Sequence, residues 1–290
     1  PIRMMILPLA LLSFLLAGSA LAAWRGFDHW SDREAVKRLA AMQPAAPPGF
    51  DPAMIADLPE PARRYFLYMI EPGAPLFTVA RISMTGRFGI GTRAKPGYFD
   101  MTATQTLAMP AGFVWKMRAW RGLMTLSGSD SERWTRFWLM GGLPVARMGG
   151  NPDHRRSAFG RYVAEAVFWT PAAVLPGPGV TWQGVDADCA RLTVRHQELS
   201  QSVDVTVAPD GQPTRVCFQR WSNANPQKRH RLQPFGGHLS GFRSFAGFRL
   251  PTRVEAGNHF GSDDYFPFFQ ADVKDIEFPR NGGGPHKGYG

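Results

Sequence analysis

Glu165 is the residue of this sequence best placed to do chemistry. It lies inside the apolar run Tyr162-Val163-Ala164-Glu165-Ala166-Val167-Phe168-Trp169. A carboxyl group buried among such neighbours has a raised pKa and could serve as a general acid or hold a polar head group. The competing use is structural, because Arg161 stands four residues earlier, within ion-pairing reach on a helix. A lone carboxylate with no nucleophile and no second carboxylate makes a weak catalyst. The structural tie is therefore the favoured reading.

His259, Asp263 and Asp264 form the other candidate group, with His238 on a neighbouring strand able to converge on it. A metal there would need at least three ligands in fixed geometry. Half-exposed strand histidines account for the same residues. No nucleophile elbow, Walker loop, His-Glu-x-x-His, Cys-x-x-Cys or EF-hand loop occurs. Gly86-Arg87-Phe88-Gly89-Ile90-Gly91 has the wrong glycine order for a dinucleotide site and lies between strands, so it reads as a turn. No catalytic residue, metal ligand or cofactor is assigned, and the expectation leans away from an enzyme.

Aromatic side chains are the remaining signal. The chain has 21 Phe and 9 Trp, spread over separate elements, and most of them must be core. A curved sheet and a covering helix can leave an apolar cleft between them. The expected lining is Phe113, Trp115, Met117, Trp138, Glu165, Phe168, Trp169 and Trp182, with Met140 nearby. Such a cleft suits a lipid, an acyl chain or a lipopeptide.

The elements that would position these residues are mostly strands. Alternation is cleanest at Phe99, Met101, Ala103, Gln105 and Leu107, and a second row runs through Phe113, Trp115, Met117 and Ala119. Strands are predicted over residues 79–88, 99–107, 113–120, 131–140, 180–185, 190–196, 202–207, 214–220, 237–245, 249–260 and 269–278. They come as hairpins and meanders, so the expected architecture is mainly β: a curved antiparallel sheet, an open half-barrel of about nine or ten strands. One helix, over 157–169, covers it, and a second amphipathic helix falls within 58–70 with proline in its first turn. Cys189 and Cys217 fall on alternate strands of a meander. Register places Cys217 level with Val203 and Arg195, which argues against a disulfide.

Residues 4–24 carry no charge, with Arg3 before them and Arg25 after. The run is long enough for a hydrocarbon core of about 30 Å at about 1.5 Å per residue. Ala20-Leu21-Ala22 equally supplies the small-x-small pattern of a signal-peptidase site. Two readings stay open: an inner-membrane anchor with a periplasmic or extracytoplasmic body, or a cleaved signal and a free periplasmic protein. A separate helix over 32–42 leads into the proline-rich stretch 43–48. The expected divisions are 1–25 as anchor or signal, 26–57 as helix and linker, 58–280 as a single β-rich domain and 281–290 as a disordered tail. The formal charge of +10 comes from scattered arginines, and no nucleic-acid motif accompanies it.

Several stretches resemble an uncharacterised bacterial family, the DUF6544/DUF6920 group. They are Leu58-Pro59-Glu60-Pro61-Ala62-Arg63-Arg64-Tyr65, Pro110-Ala111-Gly112-Phe113-Val114-Trp115, the run from Tyr162 to Pro176, and Val180-Thr181-Trp182. Val207-Ala208-Pro209-Asp210-Gly211, Pro234-Phe235-Gly236-Gly237 and Tyr265-Phe266-Pro267-Phe268-Phe269-Gln270-Ala271 belong with them. The likeness covers about residues 51–278. Phe168 departs from it mildly, standing where the family often has Trp. The resemblance implies no activity. A strand-rich chain with a covering helix is also similar to the open LolA/LolB-type sheet that shields lipid or lipoprotein acyl chains, a fold-level analogy. The leading expectation is a tethered binding protein holding an apolar ligand, with bilayer and lipid or lipoprotein as partners. The rivals are an accessory subunit on a membrane protein complex and an enzyme using Glu165 or His259/Asp263.

Overall fold

The computed structural model describes residues 2–280, with side chains from Leu11 onward. The expected tail, 281–290, lies outside the described residues. One antiparallel sheet of 13 strands organises the molecule. Six strands form the first meander: β1 Ala80–Gly89, β2 Tyr98–Ala108, β3 Gly112–Arg121, β4 Met124–Ser131, β5 Trp134–Leu139 and β6 Leu143–Gly149. Seven form the second: β7 Val180–Gly184, β8 Cys189–His196, β9 Leu199–Val207, β10 Pro213–Ser222, β11 Arg231–Phe245, β12 Phe248–Asn258 and β13 Phe266–Glu277. The meanders join where β1 pairs with β13, from Arg81 opposite Glu277 to Phe88 opposite Phe269. The free edges of this open, curved sheet are β6 and β7.

Helix α3, Pro152–Trp169, carries the chain from one free edge to the other across the inner face. Asn151 caps it by accepting from the His154 N–H at 2.8 Å, and Pro152 sits where a missing N–H does no harm. Its last three turns are buried on nearly every side, as befits a helix sunk into a core. Helix α2, Glu60–Met69, lies on the same face and buries Ala62, Tyr65, Phe66 and Met69. The Tyr65 hydroxyl donates to the Val167 carbonyl, which fastens α2 to α3.

The N-terminal region differs from expectation. One continuous helix, α1 Ile2–Ala40, replaces the separate apolar segment and the helix predicted over 32–42. Its C-terminal part packs on the outer face of the sheet through Asp28, Asp32, Ala35 and Leu39, a stripe at helical spacing. Ala35 and Leu39 meet Val79, Ala108 and Val114, whereas the two aspartates meet β5 and β6. Upstream, the side chains of Leu11, Leu12, Phe14, Leu15 and Leu16 are exposed. Among the described residues no helix is long and apolar enough to cross a membrane.

Two strands escaped the periodicity reading, β4 and β6, and β5 starts at Trp134 where a strand was expected from 131. Cys189 and Cys217 are free. Their strands flank β9 as expected, but Cys217 lies level with Asp204, not Val203, and Cys189 with Thr206. A register shift between Pro213 and Arg215 displaces the pairing by one residue.

Candidate functional site

The inner face is not completely filled. A cavity of about 300 Å³ remains between α3 and the sheet. Strands from both meanders build its walls. Phe88, Trp115 and Phe137 come from the first, and Phe218, Phe235, Leu239, Phe268 and Phe269 from the second. Rings meet around the space: Trp115 lies 5.9 Å from Phe88, 6.4 Å from Phe137 and 6.2 Å from Phe269, and Phe235 lies 5.9 Å from Phe268. Such spacing is ordinary for favourable edge and offset contacts. Ala164, Glu165, Phe168 and Trp169 of α3 close the top. Gly236 and Gly237 of β11 form part of the wall. A Cβ on Gly237, which pairs with the inward Val216, would come within 1.8 Å of the Glu255 carbonyl, so the inner wall at that point stays bare, whereas a Cβ on Gly236 would meet Cys217 on the other face.

One polar knot interrupts the apolar lining. Arg161 donates to Glu165 at 2.7 Å and to Asp130 at 2.5 Å, and its remaining amino group reaches Gln105 at 3.3 Å. The Gln105 amide donates in turn to Glu165, and the Thr135 hydroxyl to Asp130. Burial works against the Arg161 charge, but Glu165 and Asp130 beside it more than restore it. The guanidinium also lies over the Phe113 ring, 4.5 Å from its centre. Glu165 is thus held at both oxygens. The knot ties α3 to β2 and β4.

A second cation, Arg220, lines the cavity without joining the knot. Burial, with Arg161 nearby, pushes its pKa down to about 10 against the pull of Asp130 and Glu165. Its Nε is buried without an acceptor, as are the indole N–H groups of Trp115 and Trp169 in the same wall.

Of the residues expected to line a cleft, Trp115, Glu165, Phe168 and Trp169 do line this cavity. Phe113 packs beside it against Tyr162, and Met117 is buried in the surrounding core. Trp182 lies outside it, wedged against Tyr65 and Phe66 with its N–H donated to the Val174 carbonyl at 2.8 Å. Trp138 belongs to the opposite face. Its N–H donates to Asp28 of α1 at 2.9 Å, and Phe137 takes the inward position instead. Met140 stands exposed with φ of 49°, at the turn after β5. Arg220 went unread, although Val216, Phe218 and Arg220 alternate on one face of β10. His259, Asp263 and Asp264 sit at the β12–β13 turn, with both aspartates exposed. His238 faces Phe260 and Tyr265 there. Among the described residues no three His, Cys, Asp or Glu side chains are grouped to hold a metal.

A wider depression of about 1140 Å³ lies over β8–β10. Arg191 and Asp204 cross it in a 2.6 Å ion pair, beside Cys189 and Cys217. Burial raises both thiols above their ordinary value. Polar and apolar groups share this surface, which is more open than the cavity under α3.

Residues 48–271 match the family of unknown function DUF6544. The chain belongs to the DUF6544 family. The cavity-lining residues from Phe88 to Phe269 all fall within the matched region. No curated protein matches the chain. Among solved structures, it is similar to a LolA superfamily protein from Nitrosomonas europaea, at 11% identity and a TM-score of 0.35, covering 69% of this chain and 86% of that one. A putative outer membrane lipoprotein-sorting protein domain from Vibrio parahaemolyticus gives 9% identity and a TM-score of 0.35, covering 69% and 85%.

Proposed function

We propose that this DUF6544 protein holds an apolar ligand, of the bulk of one acyl chain, between α3 and the sheet. The cavity of about 300 Å³, ringed by phenylalanine and tryptophan, carries this reading. It stands at the lower end of the roughly 300–1,000 Å³ typical of ligand pockets. Burial of the chain drives binding, at about 25 cal/mol per Å² of apolar surface removed from water. Glu165 acts as part of the tie that holds the helix and not as a catalytic group.

The reading includes export and contact with a bilayer surface. Its support is the exposed apolar run Leu11 to Leu16 of α1, followed by exposed Trp24, Phe27 and Trp30. These side chains suit the interface between headgroups and hydrocarbon.

Native mass spectrometry of the full chain, purified from membranes without delipidation, tests the proposal. A released aliphatic small molecule at one copy per chain is the expected result. A chain that carries no small molecule and takes up no added long-chain alcohol would refute it. A second reading, docking on a partner protein, draws on the exposed Leu143, Val145 and Met148 of edge strand β6. The same spectrum would reveal that partner as a stoichiometric complex.

A further inference from the structure

Arg220 is a half-buried cation that the fold leaves unpaired. It follows Val216 and Phe218 at two-residue spacing on β10, the register that faces the cavity. Among the described residues its guanidinium forms no ion pair and donates no hydrogen bond, and its buried Nε has no acceptor. The Phe235 ring lies 4.9 Å from its central carbon. Asp130 and Glu165 act on it from a distance, but Arg161 engages both directly.

A charge held largely out of water without a partner lowers stability, so a site that keeps one offers a place for a counter-charge from elsewhere. The other unsatisfied buried atoms of this wall agree in kind. Trp115 Nε1 and Trp169 Nε1 are also donors without acceptors, and every such buried side-chain atom around the cavity is a donor. Guanidinium and indole cannot accept a hydrogen bond. The cavity is short of acceptors, and its two inward carboxylates, Asp130 and Glu165, are both engaged by Arg161 and leave Arg220 without one.

We infer that the ligand is a single-chain amphiphile with a carboxylate head, its chain among Phe88, Phe137, Leu239 and Phe268 and its head on Arg220. The inference rests on the apolar-ligand reading above and adds the class of head group. A carboxylate matches the planar fork of a guanidinium with two parallel hydrogen bonds. Arg220 stays charged at neutral pH even with its pKa lowered to about 10. A cavity of about 300 Å³ has room for one chain and not for the several chains of a diacyl or triacyl lipid.

Calorimetric titration of the delipidated full chain with dodecanoate and with dodecanol tests this. The wild type should bind the acid at least about tenfold more tightly than the alcohol. Arg220→Met should bind both alike and unfold at no lower temperature. Should Arg220→Met fail to fold, Arg220→Gln, which keeps donors and loses the charge, must lose the same preference. Equal binding of acid and alcohol by the wild type would overturn the head-group inference and leave the apolar-ligand reading intact. Binding of neither would overturn both. Tighter binding of dodecyl phosphate than of dodecanoate would overturn the carboxylate in favour of a phosphate monoester.

Discussion

Ala164→Leu separates a genuine ligand cavity from a merely loose core, because the two give opposite signs. Ala164 is buried on α3 and lines the cavity. Leucine adds three carbon atoms, each worth about 0.8 kcal/mol when moved from water into apolar surroundings. Ordering the new side chain costs about 0.5–1 kcal/mol, and leucine and alanine have nearly the same helix propensity. The variant should be more stable by about 1.5 kcal/mol, read as a higher urea midpoint, and its thermal midpoint should rise by about 3–6 °C. The same three carbons take space from the ligand. If each displaces one methylene, affinity for a long-chain alcohol falls by about 2.4 kcal/mol, roughly fiftyfold. Destabilisation by more than about 1 kcal/mol would mean the leucine overpacks a filled core and that no vacant space exists. A stabilised variant that binds as tightly as the wild type would place the ligand elsewhere.

Glu165→Gln removes one anion from the knot and leaves Arg161 with Asp130 and Gln105. Stability should fall by about 2–3 kcal/mol in urea unfolding, and a loss below about 0.5 kcal/mol would show that the tie is idle. Burial by itself would raise the Asp28 carboxyl, but hydrogen bonds from Arg147 and Trp138 and the nearby Arg136 charge outweigh it and hold the group below its ordinary 3.8. Its contribution is therefore complete above that value and lost as pH falls through the lower folded one. Asp28→Asn should flatten stability against pH below about 4, and an unaltered acid limb would refute the assignment. Trp138→Phe removes the hydrogen bond to Asp28 and should cost about 1.5–3 kcal/mol without touching ligand affinity. A fall in affinity would return Trp138 to the ligand site.

How much was legible depended on whether apolar packing or polar contact holds an element. The rows through Phe99 and Phe113 alternate because one face of each strand meets the core, and both were readable. The segment of β4, Met124-Thr125-Leu126-Ser127-Gly128-Ser129-Asp130-Ser131, shows no such row. Its buried positions are filled by Ser129, which donates to Asp32 at 2.7 Å, and by Ser131, whose hydroxyl accepts from Trp134 N at 3.0 Å. Edge strand β6 exposes its apolar residues, so periodicity was silent there too. Arg25 reads as the charged end of an apolar run. With Asp28 and Asp32 it is instead a docking group of the helix, and Arg136 on the same outer face reaches Asp32 at 2.6 Å. Trp138 was assigned to the cleft on ring size alone; the parity of β5 sends Phe137 inward. The lining drawn from β11 to β13 depends on strands meeting at long sequence separation, which no local pattern specifies.

The cavity follows from how the two faces are tied. Consecutive residues of β4 point opposite ways: Ser129 outward to Asp32 of α1, Asp130 inward to Arg161 of α3. On β5, Thr135 turns inward to Asp130 and Arg136 outward to Asp28 and Asp32. This hairpin is clamped from both sides by charges that tolerate little displacement, because a half-broken buried pair is costlier than an absent one. The height of α3 above the sheet is therefore set at the knot, beside the cavity, and not by how deeply the helix could sink. Held there, and propped by Trp169 and Phe168, it does not collapse onto the bare position at Gly237. Ordinary apolar packing would close such a gap, since unfilled core volume costs about 24 cal/mol per Å³. The buried polar tie is what keeps it open.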